Sequence, residues 1–190
     1  MASKQIPVGI SARHVHVSRG DLDILFGAGY QLTVKKDLSQ PGQFACNEQV
    51  DLITEKGTFK NVRILGPERK QTQVEIALTD ALKLGIKPPV RDSGDLKGSP
   101  GITIVGPKGQ IKIEEGVIAA CRHIHMTTAD AAELGLKDKE FVKVRCGSAD
   151  RSLIFDRVLA RVNDSFKLEI HLDTDEGNAS QAGATVEIVK

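Results

Sequence analysis

Apolar and polar residues alternate with a period of two in VEIAL (74–78), IKIEE (111–115) and KLEIHLD (167–173). That period marks strands with one face buried. Further strands are expected in IPVGIS, YQLTVKK, EQVDLIT, FKNVRILG, QTQVEIALT, GITIVGP, QIKIEEGVIAA, EFVKVRC, SLIFDRVLARV, FKLEIHLD and ATVEIVK. Turn markers such as SQPGQ, GPER, KPPVRDSG, GPKGQ and CGSAD separate them. Helical spacing is confined to three short stretches, SRGDLDILFGAG, TDALKLGI and TTADAAELGL. Many short strands with few small helices point to a mainly β chain built as closed β-barrels rather than a doubly wound sheet.

A chain of 190 residues carries enough apolar sequence for one domain or two small ones. A net charge of +1, with six Phe, one Tyr and no Trp, offers neither the field nor the stacking platforms that nucleic acid needs. Arginine clusters still suit a smaller anion. No apolar run spans a membrane and no signal-peptide core is present, so no membrane partner is expected. The first strand starts within a few residues of Met1, and a cytoplasmic location is expected. Cys46, Cys121 and Cys146 form no CxxC and read as free thiols of a reducing compartment.

The chain has five histidines, and four fall in two copies of one tetrapeptide: Arg13-His14-Val15-His16 and Arg122-His123-Ile124-His125. The flanks match too. A hydroxyl follows (Ser18, Thr127), then an acid (Asp21, Asp130), a leucine (Leu25, Leu134) and a glycine (Gly27, Gly135). One interval separates both His14 from His123 and Leu25 from Leu134. This is an internal repeat of strand, short helix and strand, with Ser18 and Thr127 as helix caps. On a strand, i and i+2 share a face. Each HxH is therefore either a buried, hydrogen-bonded pair or a pair of metal ligands.

Other residues divide the same way. Gln73 and Glu75 share one strand face; Glu75 is either a surface acid or a carboxylate bridging two metal ions. Arg91, Ser93 and the glycine amides of KPPVRDSGDLKGSPG are either a solvated turn or a concavity for phosphate. Around His171, the acids Asp173, Asp175 and Glu176 are either imidazole partners or a solvated turn.

The ordered set PVGISARHVHVS, DLSQPGQFA, NVRILGPERKQTQVEIALTDALKLGI, PVRDSGDLKGSPG, GVIAACRHIHM and HLDTDEGNA resembles the phosphate propanoyltransferases, the PduL-type phosphotransacylases, over nearly the whole chain. The resemblance implies two small interleaved β-barrels with short capping helices and the active site between them. Residues 1–30 and 117–190 would form one barrel and 31–116 the other. It implies two Zn2+ per chain, held by His14 and His16 and by His123, His125 and His171, with Glu75 bridging. Arg69 would be the catalytic, phosphate-binding arginine. Coenzyme A would lie across Gly9, Ile10 and Ser11, with Arg63 and Asn178, and more loosely Lys36 and Lys56.

The implied reaction is acyl transfer between a short acyl-CoA (propanoyl-CoA or another) and inorganic phosphate. It gives acyl phosphate and CoA by direct attack of metal-bound phosphate, and it is reversible. Acetyl-specific phosphotransacetylase activity and dinuclear zinc thioester hydrolysis are the alternatives. Family members that enter bacterial microcompartments often carry an N-terminal extension. None is expected here, which favours the cytoplasm over a microcompartment lumen. A homo-oligomer is left open.

Overall fold

The computed structural model describes residues 4–147 and 150–189; of the expected CGSAD turn, Ser148 and Ala149 lie outside the described residues. In chain order the elements are β1 (Ile6–Ser11), β2 (His14–His16), α1 (Arg19–Phe26), β3 (Val34–Asp37), β4 (Phe44–Ile53), β5 (Thr58–Gly66), β6 (Gln73–Glu75), α2 (Leu78–Leu84), β7 (Val90–Arg91), β8 (Ile102–Val105), β9 (Gln110–Ile113), β10 (Val117–Ala120), β11 (His123–Met126), α3 (Thr128–Leu134), β12 (Phe141–Cys146), β13 (Leu153–Val162), β14 (Glu169–Asp173), α4 (Thr174–Ser180) and β15 (Thr185–Val189). The mainly β architecture with short helices is the expected one.

By internal contacts the chain divides into two units. The first is Met1–Ser11, Ser39–Pro41 and Cys121–Lys190; the second is Ala12–Leu38 and Gly42–Ala120. The sequence reading drew its lines after residue 30 and before residue 117. The first line falls earlier because β2 hydrogen-bonds to β5 and β6, which carries residues 12–30 into the second unit, and the second falls later because β10 pairs with β6 and β7.

The first unit is a closed barrel in the order β1-β14-β11-β13-β12-β15. β1 closes it, parallel to β14 on one side and antiparallel to β15 on the other. Strand β12, expected from EFVKVRC, buries every second residue, Val142, Val144 and Cys146. They pack with Ile6, Ile124, Met126 and Ile170. Thr127 caps α3 by accepting from the Asp130 N–H, and Asp130 reaches back to complete a capping box. Gly135 ends that helix at a φ of 70°, where a side chain would be strained.

The second unit is a nine-stranded curled sheet in the order β7-β10-β6-β2-β5-β4-β8-β9, with β3 on β4. Val15, Leu52, Ile64, Val74, Ile104 and Val117 fill its core. Ser18 caps α1 as expected, accepting from the Asp21 N–H.

The repeat extends further than the HxH flanks. β2 runs parallel to β5 and antiparallel to β6. β11 runs parallel to β13 and antiparallel to β14 in the same way. β6 leads into α2 and β14 into α4. One interval separates Phe59 from Phe155, Glu75 from His171 and Asp80 from Glu176. The arginine of each RHxH uses these positions. Arg13 forms two hydrogen bonds to Asp80, 2.9 Å from Nε and 2.7 Å from Nη2, and stacks 4.4 Å from the Phe59 ring. Arg122 lies 2.6 Å from Glu176 and 5.1 Å from the Phe155 ring. Each arginine ties its HxH strand to the helix that follows the neighbouring strand.

Asp80 is only 3% exposed, so it depends on Arg13 to offset its desolvation. Arg13→Ala is expected to cost about 1–3 kcal/mol, since the arginine is itself partly solvated. That corresponds to a fall in thermal midpoint of roughly 3–10 °C. Arg13→Lys should recover only part, lacking the planar fork. Thermal unfolding of the two variants measures this.

Candidate functional site

Strand geometry assembles two sets of donors, one in each unit. In the second unit β2 presents His14 and His16 on one face, and the β6 register sets His14 opposite Glu75 and His16 opposite Gln73. In the first unit β11 presents His123 and His125, and β14 sets His123 opposite His171 and His125 opposite Glu169. Donor atoms of His14, His16 and Glu75 lie within 4.8 Å of one another, as do those of His123, His125 and His171. The six expected metal ligands thus form two triads.

Backbone hydrogen bonds orient three of the imidazoles. Nδ1–H of His14 donates to the Ala12 carbonyl at 2.9 Å, that of His16 to Leu65 at 3.0 Å and that of His123 to Cys121 at 2.8 Å. Each bond puts the proton on Nδ1 and the lone pair on Nε2, the nitrogen that could meet a cation. His123 Nε2 and His125 Nε2 lie 3.0 Å apart, while the buried Nδ1 of His125 has no hydrogen-bond partner. A cation there would be met by both Nε2 lone pairs. Burial, aided by His14 and Arg69, pushes His16 down to about 3. Burial, with His123 and His171, pushes His125 down to about 2. Both are neutral at pH 7, the form that binds metal. A borderline divalent ion such as zinc fits these nitrogen and oxygen donors.

Burial alone would raise the Glu75 pKa, but His14 and His16, the Ser93 hydroxyl and Arg69 outweigh it and bring it to about 2. Its two oxygens differ. Oε1 accepts from Gln73 Nε2 at 2.5 Å and from Ser93 Oγ at 2.8 Å. Oε2 faces His14 Nε2 at 3.5 Å. A carboxylate that bridges through both oxygens gives one to each ion, and Oε1 is already held by these two donors. The geometry suits Glu75 as a ligand through Oε2 alone.

Arg69 adjoins this triad. Its Nη1 donates to Ser93 Oγ at 2.9 Å. The Gly94 N–H donates to Gln73 Oε1 at 2.9 Å, so the KPPVRDSG stretch wraps the Glu75 corner. Arg91 does not take part; it turns to Asp95 and the Lys97 carbonyl, both at 2.9 Å. The signal for Ser93 was its place in an anion-friendly loop, and for Gln73 its shared face with Glu75.

Two of the acids after His171 are engaged in α4 and with Arg122. Asp173 caps α4 and Glu176 completes that capping box and pairs with Arg122. The carboxylate at His171 is Glu169, 2.7 Å from Nε2, a residue the sequence reading passed over.

The remaining expected positions are scattered. Ile10 and Asn178 line one open pocket of about 310 Å³ with Thr174, Gly177, Gln181 and Ala182. Gly9 and Ser11 lie on the same strand β1 as Ile10. Arg63 lies on β5 opposite His14, its Nη1 donating to the carbonyls of Cys46 and Asn47. Lys36 is exposed on β3, and Lys56 is exposed in the turn after β4.

Fold and donors together define a mainly β protein with two candidate divalent-metal triads. A family model described as phosphate propanoyltransferase matches residues 7–183. A phosphate propanoyltransferase of Thermotoga maritima is 60% identical over 175 residues, 92% of this chain and 83% of that protein. One from Lachnoclostridium phytofermentans is 52% identical, covering 93% and 82%. One from Clostridioides difficile is 50% identical, covering 97% and 89%. The chain belongs to the phosphate propanoyltransferase family and is an acyltransferase. Among the described residues no helix is long and apolar enough to cross a membrane.

With Oε2 as its only unengaged oxygen, Glu75 should serve one ion. Elemental analysis of protein purified without chelators is expected to give two divalent ions per chain, and Glu75→Gln to give one. A fall from two to none would restore the bridging role.

Proposed function

We propose that this acyltransferase interconverts a short acyl-CoA plus inorganic phosphate with acyl phosphate plus CoA. Propanoyl is taken as the reference acyl group and Zn2+ as the metal in both triads. The observation that carries the reading is the placement of Arg69, a half-buried guanidinium hydrogen-bonded to Ser93 at the edge of a metal triad. A triad alone would serve a hydrolase equally well; a fork-shaped cation beside it favours phosphate as the nucleophile.

When bound, zinc supplies Lewis acidity and stabilises developing negative charge. The chain's residues do the rest. Arg69 orients phosphate so that one oxygen faces the thioester carbonyl carbon. Ser93 Oγ links Arg69 to Glu75, so phosphate position and ligand position are coupled. The new carbon–oxygen bond forms as the carbon–sulfur bond breaks, and the electron pair leaves with the CoA thiolate. The pocket walled by Ile10 and Asn178 supports a coenzyme contact at those residues, beside Gly9 and Ser11. Arg63, Lys36 and Lys56 are proposed for its phosphate groups. We propose a cytoplasmic location, a reducing compartment that suits Cys46, Cys121 and Cys146 as thiols.

Thiol release from propanoyl-CoA is expected to require phosphate and to form propanoyl phosphate in equal amount. Release at the same rate without phosphate would make the protein a thioester hydrolase instead. Arg69→Ala is expected to raise the phosphate KM on the order of 10- to 100-fold, the loss of a charge-assisted contact. Metal content and the KM for propanoyl-CoA should stay near the unsubstituted values. Unchanged phosphate saturation in that variant would remove Arg69 from the role.

A further inference from the structure

The geometry points to Glu169 as a positioning residue that fixes the tautomer of His171, so that His171 meets a metal ion through Nδ1 while the other ordered histidines use Nε2. This rests on the metal-binding reading of the His123, His125 and His171 triad.

Three independent contacts hold Glu169. It is 8% exposed, and its Oε2 accepts from His171 Nε2 at 2.7 Å. The Ser39 hydroxyl donates to the same oxygen. Buried Gln40 adds a longer contact at 3.4 Å. Gln40 is itself fastened to the loop leading into β14, its Nε2 donating to the Lys167 carbonyl at 2.9 Å and its Oε1 accepting from the Lys167 N–H at 3.2 Å. This gives the DLSQPG motif a structural purpose: Ser39–Pro41 belongs to the first unit and abuts β14.

Gly9 supplies the room. It pairs with His171 across β1 and β14. A Cβ at position 9 would come within 3.0 Å of both the Glu169 carboxyl carbon and His171 Cδ2. Only glycine leaves that space without a shift of the carboxylate or the ring.

The repeat supplies a second, separate argument. Glu169 stands where Gln73 stands in the other unit, two residues before the third ligand and opposite the second histidine of HxH. Gln73 donates its amide N–H to Glu75. Glu169 accepts from His171. A carboxylate ligand has a donor for its keeper and an imidazole ligand has an acceptor. The keeper's chemistry has reversed together with the ligand's, as it must if this position serves to hold the ligand.

His14, His16 and His123 give their Nδ1–H to backbone carbonyls. His171 gives its Nε2–H to Glu169, which leaves the lone pair on Nδ1. The two rotations present opposite nitrogens to the ion.

The test uses the full chain with 15N-labelled histidine, with and without zinc, in the unsubstituted protein and in Glu169→Ala and Glu169→Gln. Two-bond proton–nitrogen spectra read the tautomer of each ring, and competition with a chelator reads metal affinity. His171 is expected to carry its proton on Nε2 in both the metal-free and the zinc-loaded protein. Glu169→Ala should lose that preference and weaken one of the two zinc sites about 10- to 100-fold. Glu169→Gln keeps an acceptor oxygen and should retain most of both. Zinc on Nε2 of His171, or unaltered tautomer and affinity in Glu169→Ala, would overturn the assignment. If the unsubstituted protein takes up no metal, the metal reading fails by itself, while the metal-free spectra still decide whether Glu169 fixes the ring.

Discussion

Strand register is the constraint on which each triad rests. Two histidines at i and i+2 meet a third ligand only if the neighbouring antiparallel strand pairs so that Glu75 falls opposite His14, or His171 opposite His123. A slip of one residue would turn the third ligand to the other face and replace it with Val74 or Ile170, which lie in the core. Register here is set by those core residues. Val15 pairs with Val74, and Ile124 with Ile170, all fully buried. Hydrophobic packing on one face thus fixes coordination chemistry on the other.

The two units solve this problem with the same parts. A parallel strand, an HxH strand, an antiparallel ligand strand and a short helix recur, and an arginine before the first histidine reaches an acid in that helix. Where the copies diverge, they diverge in matched sets. Glu75 has Gln73 and a loop serine; His171 has Glu169, which Ser39 and Gln40 hold in turn. The barrel closes and the curled sheet stays open, yet the donor geometry is kept. The repeated part is the ligand frame, and the surrounding sheet differs.

Much of this could be read along the chain because it is local. HxH on β-branched backbone, the Ser18 and Thr127 caps, and strand β12 each need only a few neighbouring residues. The six metal candidates, found as residue types, did converge into triads. What escaped is non-local or compositional. Helix α4, TDEGNAS, contains Gly177 and Asn178, poor helix formers, and read as a turn; its capping box at Asp173 and Glu176 outweighs that. Glu169 sits in a clear alternation, where nothing distinguishes a surface acid from a buried one. Its burial is decided by Gln40, far away in sequence. The later half of the repeat was hidden because its key residues changed type together, Gln to Glu and Glu to His.

Barrel closure has a further consequence for how the chain is made. β1 emerges well before both of its partners, β14 and β15. The second unit draws only on residues 12–120, so it can finish its pairing while β1 still waits. At about 5–20 residues per second that wait on the ribosome lasts on the order of 10–30 s. During it β1 is an unpaired strand edge, open to a neighbouring nascent chain. Pro7 removes one N–H from that edge, and Pro7 and Ile10 leave it without a clean apolar–polar alternation. The first strand is thus poorly suited to recruiting a wrong partner before its own has emerged.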